Sequence, residues 1–159
     1  MADAMTSMPL GERGHRLQAA RETDHAEILR LARLFHAEDG HPLSERGEVA
    51  IGQLLNDQTF GTIMKLELDD NLVGYTVISF GYSIEWGDRD AFIDDLYIAE
   101  SERGAGLGRL VIERVAVWLR SLGIGALHLE VMAGNRAEQL YRRMGFADRG
   151  SAFLSLRLI

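Results

Sequence analysis

The sequence predicts an α/β fold in which helices flank a mixed, largely antiparallel central sheet. Three observations point there. Phe60 to Leu68 and Leu72 to Phe80 are rich in apolar and β-branched residues and are separated by Asp69-Asp70-Asn71, the pattern of an antiparallel hairpin. Ala91 to Ile98, Gly108 to Leu122 and Ala126 to Met132 read as strand, helix and strand, a unit whose two strands run parallel through a right-handed crossover. The 159 residues, 47% apolar and 26% charged, suit one globular domain with its own core.

The remaining elements follow in chain order. Met1 to Gly14 is polar, carries Pro9, Gly11 and Gly14 and shows no period of two or 3.6. It is expected to be a flexible leader, leaving a domain of residues 15–159. His15 to Arg21 reads as a first strand. Thr23 is placed to cap a helix with Ile28, Leu31, Ala32, Leu34 and Phe35 on its apolar side, fading near Asp39-Gly40. After His41-Pro42, Ser44 is placed to cap a second helix carrying Val49, Ile51, Leu54 and Leu55, which ends near Asn56. A turn is expected around Trp86-Gly87-Asp88. Asn135 to Met144 reads as a last helix, and alternating apolar residues over Ala152 to Ile159 close the chain.

Composition excludes several functions. A formal net charge of -7 repels nucleic-acid phosphates and leans toward a cationic partner such as an amine. The absence of cysteine removes disulfides, thiolate metal sites and any acyl-cysteine intermediate. No apolar run approaches the ~20 residues needed to span a bilayer, and Met1 to Gly14 does not resemble a signal peptide. A cytoplasmic protein without a membrane partner is expected. His15, His25, His36, His41 and His128 show no metal-ligand spacing, so no metal is assigned.

Arg103-Gly104-Ala105-Gly106-Leu107-Gly108 sits between a strand and a helix. Glycines there let the backbone turn tightly and aim several N–H groups outward at the positive end of the helix dipole, which suits a phosphate or pyrophosphate. Arg109 lies in the first helical turn, where a cation is disfavoured by ~0.3–1 kcal/mol unless an anion binds nearby. A glycine-rich helix entry with two solvated arginines remains the alternative. The residues after the last glycine are not those of a P-loop, and the glycine spacing is not that of a dinucleotide fingerprint.

With these segments the chain resembles the GNAT N-acetyltransferase superfamily, whose signature is Arg or Gln, two residues, Gly, one residue, then Gly or Ala. Arg103, Gly106 and Gly108 match it. The likeness extends to Ile93-Asp94-Asp95-Leu96-Tyr97-Ile98 before the turn and to Asn135, Tyr141 and Gly145-Phe146 after it. Tyr82-Ser83, Gly87 and the IDDLYI run look most like the diamine and polyamine branch, which acts on small amines.

The resemblance implies a sheet whose two parallel strands splay apart around acetyl-coenzyme A as co-substrate. It implies a bulged signature strand whose backbone amides at Leu96, Tyr97 and Ile98 meet the pantetheine arm and polarise the thioester. Arg103, Gly104, Ala105, Gly106, Leu107, Gly108, Arg109 and Asn135 would complete the cofactor site. Tyr141 would protonate the departing thiolate, Asp94 would accept the amine's proton, and Asp95 would anchor the substrate ammonium, with the reverse assignment of the two acids left open. Glu38 and Asp39 are assigned to the acceptor entrance, and Glu130 is held as a reserve base.

The residues also admit plainer roles. Asp94 and Asp95 are adjacent on a strand and are therefore expected on opposite faces, where either could be an ordinary ion pair or turn anchor. Asn135 with Glu138 reads as a helix cap with a reaching-back acid, and Tyr141 as an aromatic packed on the sheet. Taken together, the sequence points to an acetyl-coenzyme A-dependent N-acetyltransferase acting by direct attack of a small-molecule amine. The alternatives are a non-catalytic acyl-coenzyme A-binding regulatory module, an enzyme for protein or peptide amines, and a nucleotide-phosphate domain of another fold. The oligomeric state is not set, and a homodimer stays open.

Overall fold

The computed structural model describes residues 7–132, 134–135 and 137–158. In chain order the elements are β1 (Met8–Leu10), β2 (His15–Ala19), α1 (His25–Glu38), α2 (Glu45–Asn56), β3 (Gly61–Leu68), β4 (Asn71–Ser83), β5 (Asp88–Ile98), α3 (Leu107–Ser121), β6 (Ala126–Leu129) and α4 (Ala137–Arg143). All six strands form one sheet in chain order, antiparallel throughout except for the parallel pair β5 and β6.

The sheet separates two cores. On one side α3 packs Leu107, Val111, Val115, Trp118 and Leu119 against Leu17, Met64, Leu66, Ile78 and Ala91 of the strands. On the other, α1 and α2 bury Ile28, Leu31, Ala32, Ile51 and Leu55 against Ile63, Tyr75, Val77 and Tyr97. Burial of these side chains, at ~1.5–3 kcal/mol each, is the main force holding the helices to the sheet.

Several local expectations need correction. Within the segment expected to be a leader, Met8–Leu10 is a strand paired with β2, and Leu10 is 1% exposed in the α3 core. Three residues are too few to show a period, so burial of one leucine was invisible in the pattern. Residues 1–6 lie outside the described residues. Thr23 does not cap α1. A 3-10 turn, Glu22–Asp24, precedes that helix, and the Asp24 carboxylate accepts from the Arg21 amide at 2.8 Å and from Lys65 Nζ at 2.9 Å. Ser44 caps α2 as expected, its hydroxyl accepting from the Gly47 amide at 3.2 Å.

The β3–β4 turn is tighter than the three residues expected: Asp69 and Asp70 alone form it, with φ of 49° and 62°. That is the mirror-image turn whose twist matches a hairpin. At the other end of the chain, residues 152–158 form no strand, and Phe153, Leu154, Leu156 and Leu158 are exposed, while Ile159 lies outside the described residues. Alternation makes a segment fit for a sheet but does not supply the neighbouring ladder. No helix among the described residues is long and apolar enough to cross a membrane.

Candidate active site

The site begins at an irregularity in β5. Ile78 pairs with Ile93 and Val77 with Asp95, so Asp94 is an extra residue without a partner on β4. Such a bulge shifts the side-chain phase by one. Ile78, the partner of Ile93, lies in the α3 core, and Val77, the partner of Asp95, lies in the α1/α2 core. Asp94, following Ile93, turns by alternation toward the face that Asp95 also occupies. The two carboxylates thus share a face, contrary to the expectation of opposite ones. A simple strand alternates, but a bulged one repeats.

The same point ends the parallel pairing. β6 meets β5 only from Asp90 to Ile93, and beyond it the outer backbone edge of β5 has no β6 partner. The two parallel strands therefore part where the carboxylates begin.

Asp95 is held by its neighbours. The Tyr75 hydroxyl donates to Asp95 Oδ2 at 2.8 Å, and His36 Nε2 of α1 lies 3.3 Å from the same oxygen. Thr76 Oγ1 donates to the Asp95 carbonyl at 2.8 Å. Burial, followed by the charge of Asp95, pushes the Tyr75 phenol well up, so Tyr75 is a fixed neutral donor. Asp94 has a solvent-exposed edge but protein crowds its carboxyl. Desolvation and then the Asp95 charge raise its pKa, and His36 opposes the rise. Asp94 is accordingly a stronger base than an ordinary surface aspartate.

Across the bulge lies the turn from Arg103 to Gly108. Gly104 and Gly106 have φ of +87° and +78°, and a Cβ added to either would meet open space. These positions need glycine for backbone conformation, and the space beside them is free for a ligand. Gly108 is different: it sits in α3 with helical φ, and a Cβ there would make ordinary contacts with Ile98 and Leu140. The expected conformational demand at Gly108 is absent.

A cleft of about 290 Å³ adjoins the turn, lined by Ile98, Arg103, Gly104, Gly106, Leu107, Gly108 and Arg109 together with Glu102, Leu140 and Arg143. Ala105 faces instead a smaller neighbouring cavity beside β1 and β2. Arg109 is balanced by Glu113 at 2.7 Å. Arg103 donates from Nε to the Ile98 carbonyl at 2.7 Å and from Nη2 to Glu38 at 2.8 Å, and its guanidinium lies 5.3 Å from the Tyr97 ring centroid. Tyr97 in turn donates to Glu38 at 3.4 Å. Glu38 thus joins the end of α1 to the glycine turn.

Leu140 and Arg143 bring α4 to the cleft, and α4 also carries Tyr141. Tyr141 packs edge-on to Phe146, with ring centroids 5.9 Å apart, and its hydroxyl has no hydrogen bond among the described residues. Burial raises the phenol's pKa, which keeps it protonated at neutral pH. Asn135 Oδ1 accepts from the Ala137 amide at 2.9 Å, capping α4. Glu138 does not reach back to Asn135 as expected. Its carboxylate binds Arg142 at 2.8 Å, one turn on, because a full ion pair outcompetes a single amide contact.

A model of the acetyltransferase (GNAT) family matches residues 21–146, most of the chain, including both the bulged strand and the glycine turn. The chain belongs to the GNAT family. Among its relatives, a streptothricin acetyltransferase of Streptomyces lavendulae is 35% identical over 121 residues, 76% of this chain. The match spans only 59% of that enzyme's length. A thialysine N-epsilon-acetyltransferase of Mus musculus is 28% identical over 155 residues, covering 89% of this chain and 91% of that enzyme. The solved structure of an integron cassette protein from a salt-marsh metagenome superposes with a TM-score of 0.78 at 29% identity, covering 90% of each chain.

Within this family frame the structure gathers Ile98, Arg103, Gly104, Gly106, Leu107, Gly108 and Arg109 around one cleft, and Asp94 and Asp95 on one face of the bulge. Leu96 packs toward the α3 core, and Tyr97 is buried toward α1. His36, Tyr75 and Arg143 were not singled out from the sequence as site residues. His36 and Tyr75 stand 59 and 20 residues from Asp95, and no local pattern links them to it. For Arg143, the helical step of three from Leu140 was the available signal once α4 was known to face the cleft.

Proposed function

We propose that the protein transfers acetyl from acetyl-coenzyme A to the primary amine of a small cationic acceptor, by direct attack. The observation that carries this is the bulge at Asp94. At one point of one strand it ends the parallel pairing and turns two carboxylates to a common face. Two relatives whose names specify streptothricin and the ε-amine of thialysine add support for an amine acceptor.

The chain's residues suit the co-substrate: open space at two left-handed glycines, three arginines around the cleft and an α-helix N-terminus are what a pyrophosphate requires. When bound, acetyl-coenzyme A supplies an activated acyl carbon with a thiolate leaving group. An alkylammonium of pKa ~10.4 is neutral only about once in 2,500 molecules at pH 7, equivalent to ~4.6 kcal/mol, so the acceptor must first lose a proton. Asp94 takes that proton, directly or through water. Asp95, pinned by Tyr75 and His36, presents its carboxyl on the same face and attracts the ammonium. Backbone N–H groups of Leu96 and Ile98, on the edge of β5 that faces away from β4, stabilise charge developing on the acyl oxygen. As the carbon–nitrogen bond forms and the carbon–sulfur bond breaks, Tyr141 gives its phenolic proton to sulfur, and the second proton shed by the attacking nitrogen restores the phenol through water.

An acetylation screen with thiol release as readout, over diamines, neutral-tailed amines and lysine-bearing peptides, tests the proposal. Turnover should be highest with a cationic small amine. Binding of acetyl-coenzyme A without thiol release for any acceptor would instead mark a regulatory module, and faster turnover of peptides would move the acceptor to proteins.

A further inference from the structure

Glu102 is the only acidic residue among the described residues that line the anion cleft, and it also lines the smaller cavity beside β1 and β2. It closes the 3-10 turn Glu100–Glu102, immediately before Arg103. A carboxylate in that place works against the cleft. Left free, it repels an incoming pyrophosphate and competes with it for Arg109, Arg143 and the amides of the glycine turn.

The carboxylate is not free. His15, at the start of β2 and only 4% exposed, places Nε2 at 3.1 Å from Glu102 Oε2. Arg13, in the β1–β2 turn, lies 3.9 Å from the same oxygen, and the Glu102 side chain retains 12% exposure. His15 is itself immobilised, because Leu10 pairs with it across the β1–β2 ladder and is buried in the α3 core. Gly11 approaches α3 so closely that a Cβ there would meet Leu110 at 3.2 Å. The first hairpin is thus a rigid mount, and His15 is its contact with the anion turn.

We propose that His15 is a positioning residue for pyrophosphate binding, acting through Glu102 by holding the carboxylate toward the hairpin and away from the cleft. The inference rests on the assignment of the cleft to acetyl-coenzyme A. His15 touches neither the acyl group nor the acceptor, so its removal affects affinity for coenzyme A and leaves turnover at saturation unchanged.

The test measures coenzyme A affinity by calorimetry, with kcat and KM for acetyl-coenzyme A and for S-acetylpantetheine, which lacks the pyrophosphate. His15→Leu should weaken coenzyme A roughly tenfold or more, with S-acetylpantetheine kcat/KM unchanged. Adding Glu102→Gln to that variant should restore affinity to within about threefold of the parent, since the unheld charge is then gone. His15→Gln keeps a donor and should stay near the parent. Equal losses for both acyl donors, or no recovery in the double variant, would overturn the proposal. Should His15→Leu fail to fold, Glu102→Gln alone still decides: it should bind coenzyme A at least as tightly as the parent, and weaker binding defeats the idea. A parent that binds no coenzyme A would defeat the cleft assignment itself, whereas a parent that binds it equally with and without His15 defeats only this inference.

Discussion

From Asp90 to Ile93, β5 is hydrogen-bonded to β4 on one side and β6 on the other, whereas from Asp95 to Ile98 it keeps β4 alone. The first stretch contributes Ala91 and Ile93, 1% and 6% exposed, to the packed interior. The second carries Asp95 and Tyr97, tied through Tyr75, His36 and Glu38 into a polar layer beneath α1. One strand is thus packed scaffold in one half and presents a polar face in the other, and the change falls at a single inserted residue. Where the ladder is complete the strand contributes packed side chains and the pairing of Asp90 with His128. Where it is interrupted, backbone and carboxylates are left for a ligand.

The contrast can be broken most severely from outside the strand. Gly106→Val forces a β-branched residue to φ near +78° beside the second half of β5, and coenzyme A binding should be lost by more than ~100-fold in calorimetry. Tyr141→Phe should lower kcat ~10²- to 10⁴-fold with coenzyme A affinity unchanged, as befits a proton donor. Unaltered turnover where chemistry is rate-limiting would assign Tyr141 to packing.

Within β5 the effects should divide at Asp94. Asp94→Asn should reduce kcat ~10²-fold or more and erase the acidic limb of the pH–rate profile. The sign follows from its raised pKa: the working form is the carboxylate, so the parent loses activity as pH falls through that value, and the variant has no such group. The same shift has a stability consequence. A carboxyl whose folded pKa exceeds its unfolded one destabilises the fold once ionised, so Asp94→Asn should raise Tm at pH 7. That gain should fade as pH drops from the raised folded value to the unfolded value of ~3.9. Asp95→Asn should raise the KM of a diamine about three- to tenfold and reduce its salt sensitivity, with a smaller change in kcat. Ile93→Val, one residue before the bulge, should cost about 0.5–1.5 kcal/mol in denaturant unfolding and leave turnover per folded molecule untouched. A kinetic defect there as large as at Asp94 would abolish the distinction between the two halves.

Much of this layout was legible in the sequence. Glycines at 104 and 106 announce a left-handed turn because few other residues tolerate one, and Ser44 announces a helix start because its hydroxyl accepts a free amide. The phase of Asp94 and Asp95 was not legible, since a bulge is a relation between β5 and β4 that the sequence of β5 alone does not contain. His36 shares that obscurity. It resembles the other histidines until α1 is laid on the sheet and its ring meets Asp95. β1 escaped notice for another reason: its evidence is one buried leucine among Met8, Pro9 and Leu10.

The order of strands in the sheet bears on how the molecule is made. Because β1 to β6 lie side by side in the order in which they are synthesised, each of β2 to β5 can pair with the strand made before it, through short hairpins or the α1–α2 excursion. β3 finds β2 only after α1 and α2 have been made, and β6 finds β5 only after α3 has passed over the sheet, and both closures come later than a hairpin. The gap where β5 and β6 part is therefore the last feature of the sheet to exist on a growing chain, and nascent chains lacking α3 and β6 would carry a nearly finished sheet without it.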